Sequence, residues 1–133
     1  MAAAGPTAAH RRAQHLLEIG DIAGALEIAG ANMEFGYDAR DMITLYPSTC
    51  VVVEGLIRRG GDGDVDEAAA TIDRLAAVSG GYTYQELALL RMRALLADAS
   101  GDRAGYRGLR DRYRNMAAQL GFQGHLDAAQ RMP

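Results

Sequence analysis

The sequence predicts an all-α protein of about seven helices packed as antiparallel hairpins. Three observations carry this reading. Ala and Leu are abundant, β-branched residues are scarce, and proline occurs only at positions 6, 47 and 133, a balance that favours helix nearly throughout. Apolar residues recur at helical spacing from Ala8 to Met132. A glycine and an acid followed by an alanine open three segments, at Gly20-Asp21, Gly63-Asp64 and Gly101-Asp102, separated by 43 and 38 residues.

Taken in order, the first helix is expected over Ala8–Ile19, with Ala9, Ala13, Leu16 and Leu17 inward. Gly20 ends it, and Asp21 caps a second helix through Ile22, Ala25, Leu26 and Ala29 that runs to about Phe35. Gly36–Asp41 reads as either a loop or a short helix. The third helix begins near Ile43 or Pro47; proline suits a first turn and not a helix interior, which favours a start close to Pro47. The run Arg58-Arg59-Gly60-Gly61-Asp62-Gly63 is a turn. Asp64 caps a fourth helix that stops before Gly80-Gly81. The fifth, Thr83–Ala99, is apolar on more than one side. The sixth runs from Asp102 to Leu120, and the seventh from Gly124 to about Met132.

Helices joined by short connections pack as antiparallel neighbours, and successive pairs build an α–α superhelix of the tetratricopeptide type. The spacings of 43 and 38 residues exceed the usual period of about 34, so the repeat is degenerate. Aligning Gly55 with Ala94 superposes Leu56 on Leu95 and Ile57 on Leu96, with a small residue at the point of close helix approach. A closed helical bundle is the alternative. Residues 1–7 are expected to form a flexible N-terminal segment and residues 8–133 one helical domain.

The charge is −3, which argues against a general nucleic-acid binder; all 14 basic residues are arginine, a common consequence of a GC-rich genome. Residues 1–101 hold 8 arginines against 14 acids, and residues 102–133 hold 6 against 3. A basic end on an acidic body can steer an acidic partner; it is equally the outer face of a terminal helix. The single cysteine, Cys50, permits no internal disulfide and suits a reducing compartment. The opening MAAAGPTAAHRR lacks the order of a secretory leader, and no apolar run approaches the roughly 18 residues of a membrane span. The expectation is a cytoplasmic protein without membrane contact.

No reaction centre announces itself. His10 and His15 stand roughly 140° apart around a helix, and one cysteine with three scattered histidines does not supply a zinc set. Cys50 lies near a helix start but leads into Val51–Val53 and has no placed base. Asp62, Asp64 and Asp66 suggest a calcium loop, but its sixth position is Glu67 and its twelfth Asp73; helix-start electrostatics explain these acids more simply. No catalytic residue, cofactor site or metal site is assigned. The sixth helix carries the one surface with content. Tyr106, Leu109, Tyr113, Met116 and Leu120 line an inward arc, and Arg103, Arg107, Arg110 and Arg114 fall on a second arc about 60° wide. These four arginines are the candidate partner-binding residues, suited to an acidic peptide or helix.

The stretch Val53–Ala77, VEGLIRRGGDGDVDEAAATIDRLAA, resembles the helical C-terminal region of large actinobacterial regulators, which join a nucleotide cyclase domain or DNA-binding module to an ATPase core. The resemblance strengthens over Leu89–Met132, LLRMRALLADASGDRAGYRGLRDRYRNMAAQLGFQGHLDAAQRM, with its Gly-Asp cap, Tyr-Arg-x-Met-Ala helix and Leu-Gly-Phe-x-Gly-His turn. It implies the role of their tail: a non-enzymatic, protein-binding regulatory scaffold linked to cyclase or transcriptional signalling. A chain without lysine has no phosphate-loop lysine, so the relatives' nucleotide chemistry is not carried over. Two alternatives remain: a DNA-associated transcriptional regulator, and a small-molecule sensor or enzyme with an inter-helix pocket lined by Tyr46, Tyr82 and Tyr84. Self-association is left open.

Overall fold

The helical periodicity resolves, in a computed structural model that describes residues 5–133, into seven α-helices and no strand among those residues. They are α1 Pro6–Glu18, α2 Ile22–Ala39, α3 Met42–Arg59, α4 Asp64–Val78, α5 Thr83–Ala99, α6 Arg103–Leu120 and α7 Gln123–Arg131. The first starts at Pro6, where proline's fixed φ suits the opening turn. Of the segment expected to be flexible, residues 1–4 lie outside the described residues. The chain divides into two compact units, the first ending at Ala77 and the second Val78–Pro133.

In the first unit, α1 packs on α2, α2 on α3, and α1 on α3. Leu26 meets Gly55, Asn32 meets Ser48, and Gly36 meets Leu45, so position falls along α2 as it rises along α3 and the pair is antiparallel. The pair is held close because Gly36 has no side chain: a Cβ there lies 2.9 Å from Leu45 Cα. At Gly55, where the sequence places a small residue for close helix approach, a Cβ would meet the end of the Leu26 side chain, with Cδ2 at 2.7 Å. Buried Asn32 ties the three helices together, its amide donating to Ser48 Oγ (3.0 Å) and to the Pro6 carbonyl (3.1 Å). Arg58 closes the far end on the Leu17 carbonyl at 3.1 Å.

Two expectations are corrected here. α2 does not stop near Phe35 but continues to Ala39, and the turn is only Arg40, left-handed at φ 52°, and Asp41. Asp41 caps α3 by accepting from Thr44 N (3.3 Å) and Thr44 Oγ1 (2.7 Å), so α3 begins at Met42 with Pro47 inside it. A proline within a helix forfeits one main-chain bond, but Leu45, Tyr46, Ser48 and Thr49 beside it are all buried. Their packing outweighs the local preference.

Asp64 also behaves differently from a simple cap. It is the first residue of α4, and its carboxylate accepts from Gly61 N (2.9 Å) and from both Arg59 Nε and Nη2 (2.8 Å each). This fork holds the Asp64 carboxyl down at about 2. Farther along α4, Arg74 clasps Glu34 of α2 at 2.5 and 3.0 Å and stacks 3.7 Å over the Tyr37 ring.

In the second unit, α5 and α6 pack together and α7 returns along α6. Their core comprises Leu87, Leu90 and Ala94 of α5, Tyr106, Tyr113 and Ala117 of α6, Ala129 of α7, and Met132. Leu109 and Met116 are partly buried against it, whereas Leu120, expected on the same arc, is exposed. Buried Gln85 organises the start of α5 by accepting from Gly80 N at 2.8 Å.

Candidate functional site

The sixth helix is placed by its cap and its inward residues. Asp102 accepts from Gly105 N at 2.9 Å, satisfying one of the donors left open at a helix start. Tyr106, Tyr113 and Ala117 then fall on the buried face. With that face fixed, the four arginines are not equivalent, and they do not all point outward as one stripe.

Arg114 reaches across to α7 and donates to the Ala129 carbonyl (3.2 Å) and the Met132 carbonyl. Arg110 donates to the Pro133 main-chain oxygen (3.0 Å) and to Asp111 Oδ1 (3.1 Å), with its guanidinium 5.7 Å from the Tyr106 ring centroid. Tyr106 joins them by donating to the same Pro133 oxygen at 3.0 Å. The physical reason for the departure is that the last turn of a helix leaves carbonyls without partners. Guanidinium groups on a neighbouring helix satisfy them and complement the helix dipole.

Arg103 and Arg107 keep the expected exposure. Arg103 makes an exposed ion pair with Asp98 at 3.5 Å, a kind worth little in water and readily exchanged. The Arg107 side chain, among the described residues, has no ion pair or hydrogen bond. The face available to a carboxylate therefore consists of Arg103 and Arg107, one turn apart on α6.

The structure also assembles a pair that sequence reasoning missed. The Tyr113 side chain is fully buried, and its hydroxyl lies 2.7 Å from His125 Nδ1 and 3.3 Å from the His125 main-chain oxygen. The two rings meet edge to face, with centroids 5.6 Å apart. Burial first, and the charge of Arg91 second, push the His125 pKa below its ordinary value. The sequence carried only the Gly121 turn and the amphipathic pattern of α7 as signals that these residues could meet.

The remaining candidates stay dispersed. His15 is exposed; His10 is partly buried, with Nδ1 unpartnered and its pKa lowered by burial. Cys50 is half-buried. Asp64, one of the acids that suggest a calcium loop, is taken up by Arg59, and no group of three or more potential metal ligands occurs among the described residues. Of the tyrosines considered for a pocket, Tyr46 is buried in the first unit, whereas Tyr82 and Tyr84 are exposed in the second and stack at 6.4 Å. No described helix is long and apolar enough to cross a membrane. Comparison with known proteins gives no matching family model, no matching curated protein and no matching solved structure.

Proposed function

We propose that this chain is a non-enzymatic protein-interaction module, a regulatory scaffold of tetratricopeptide-like hairpins acting in the cytoplasm. Its partner presents carboxylates to the α6 face. The observation that carries this reading is exposed Arg107, without a partner among the described residues, beside Arg103 in its weak surface pair. Paired-helix packing in each unit supports the scaffold character, and the resemblance of Val53–Ala77 and Leu89–Met132 to regulator tails supports a link to cyclase or transcriptional signalling.

Fluorescence anisotropy with a Glu-rich helical peptide and with mixed-sequence duplex DNA tests it. The chain is expected to bind the peptide, to prefer it over the duplex, and to lose it in the Arg103→Gln/Arg107→Gln double variant. Undiminished peptide binding by the variant refutes the α6 face. Tighter, steeply salt-dependent retention of the duplex favours the DNA-associated alternative instead.

A further inference from the structure

We infer that α7 is a proton-gated latch: it stays docked on α6 while the His125 ring is neutral and is released when that ring takes up a proton. Docking rests on a small set of polar contacts along one seam. Tyr113 meets His125 near the start of α7; Arg114 holds the Ala129 and Met132 carbonyls near its end; Tyr106 and Arg110 hold the Pro133 main-chain oxygen. Apolar support from this segment is limited to buried Ala129 and Met132, with Leu126 and Ala128 partly buried. A nine-residue helix has little stability of its own, so its order depends on this seam.

Protonation acts on the seam directly. A neutral ring satisfies the buried Tyr113 hydroxyl in either tautomer: Nδ1 accepts from it, or Nδ1–H donates to it while the hydroxyl donates to the His125 carbonyl. An imidazolium allows only the second arrangement, with Nδ1–H donating to the hydroxyl across 2.7 Å and the hydroxyl turned to the carbonyl at 3.3 Å. It also places a positive charge in a half-buried position within the field of Arg91. The ring touches Tyr113 of α6, and Arg91 of α5 acts on it as a repelling charge. Arg114 lies along the same seam on α6, and Asp127 of α7 accepts from Gln123. No carboxylate among the described residues hydrogen-bonds the ring to offset the new charge.

The direction follows from linkage. The docked ring has a lowered pKa, so docking is at full strength above the ordinary histidine range. It weakens as pH falls through that range and reaches its minimum below the docked value. Release would uncover Tyr106 and Tyr113 and free Arg110 and Arg114, adding them to the face formed by Arg103 and Arg107. That consequence rests on the proposed function, whereas the latch itself is tested without any partner.

The test is amide hydrogen exchange on the full chain at about pH 7.5 and about pH 5.5, with times scaled for intrinsic rates, since histidine changes charge within that interval. Wild type is expected to lose protection in α7 at the lower pH while the amides of α5 and α6 keep theirs. His125→Asn, which retains a neutral acceptor near the Nδ1 position, is expected to hold α7 equally at both values. Unchanged α7 protection in wild type overturns the latch, as does an equal loss in the Asn variant. An NMR titration of the wild-type His125 ring gives a check that needs no variant: its midpoint must coincide with the loosening of α7, and a clear separation of the two overturns the inference.

Discussion

Two glycines of one helix should respond in opposite directions to the same substitution. Gly30 and Gly36 both lie within α2, and glycine in a helix interior costs about 0.8–1 kcal/mol relative to alanine. At Gly30 a Cβ meets nothing within 4 Å, so Gly30→Ala should stabilise by about that amount. At Gly36 the same atom lies 2.9 Å from Leu45 Cα and 3.0 Å from both its N and Cβ. These are mostly main-chain atoms of α3, which cannot rotate aside. Overpacking of this kind costs about 1–3 kcal/mol, and three simultaneous short contacts put it in the upper part of that range. The propensity gain is then outweighed, and Gly36→Ala should destabilise by about 1–2 kcal/mol. Urea denaturation followed by helical circular dichroism reads both, with about 1–3 kcal/mol per molar urea converting each change to a midpoint shift. A Gly36→Ala midpoint at or above wild type would refute the close α2–α3 approach.

Asp102→Ala should lower the urea midpoint by the equivalent of about 0.5–2 kcal/mol through loss of the bond from Gly105 N; an unchanged midpoint would remove that cap. Asp64, with its carboxyl held at about 2, contributes stability that is complete above the ordinary carboxylate pKa and is lost as pH falls from about 4 towards about 2. Measured over that window, Asp64→Asn should lose less stability than wild type, and parallel acid profiles would contradict the Arg59 fork. Arg114→Gln should destabilise by about 1.5–3 kcal/mol, since two charge-assisted bonds to the Ala129 and Met132 carbonyls are lost. Arg107→Gln should stay within about ±0.5 kcal/mol, and equal midpoints for the two variants would show that Arg114 does not hold α7.

The sequence by itself determined the helical class, the order of the elements and most of their boundaries. These depend on interactions within a few residues. Asp21 and Asp102 bond the main chain three residues on, Gly60 and Gly121 take the left-handed conformation that ends a helix, and apolar spacing marks the buried stripe. The α5 limits, Thr83–Ala99, fell where the pattern put them. Tertiary structure decided the rest. Pro47 sits inside α3 because the buried residues around it gain more from packing than one main-chain bond is worth. The candidate arginines were equivalent on a helical wheel, but α7 and the residues after it supplied carbonyl acceptors to Arg110 and Arg114 and left Arg103 and Arg107 outside. Periodicity records which side of a helix is apolar. It does not record which neighbour's polar atoms wait at the edge of that side, because those atoms arrive from residues far along the chain, as Tyr113 and His125 show.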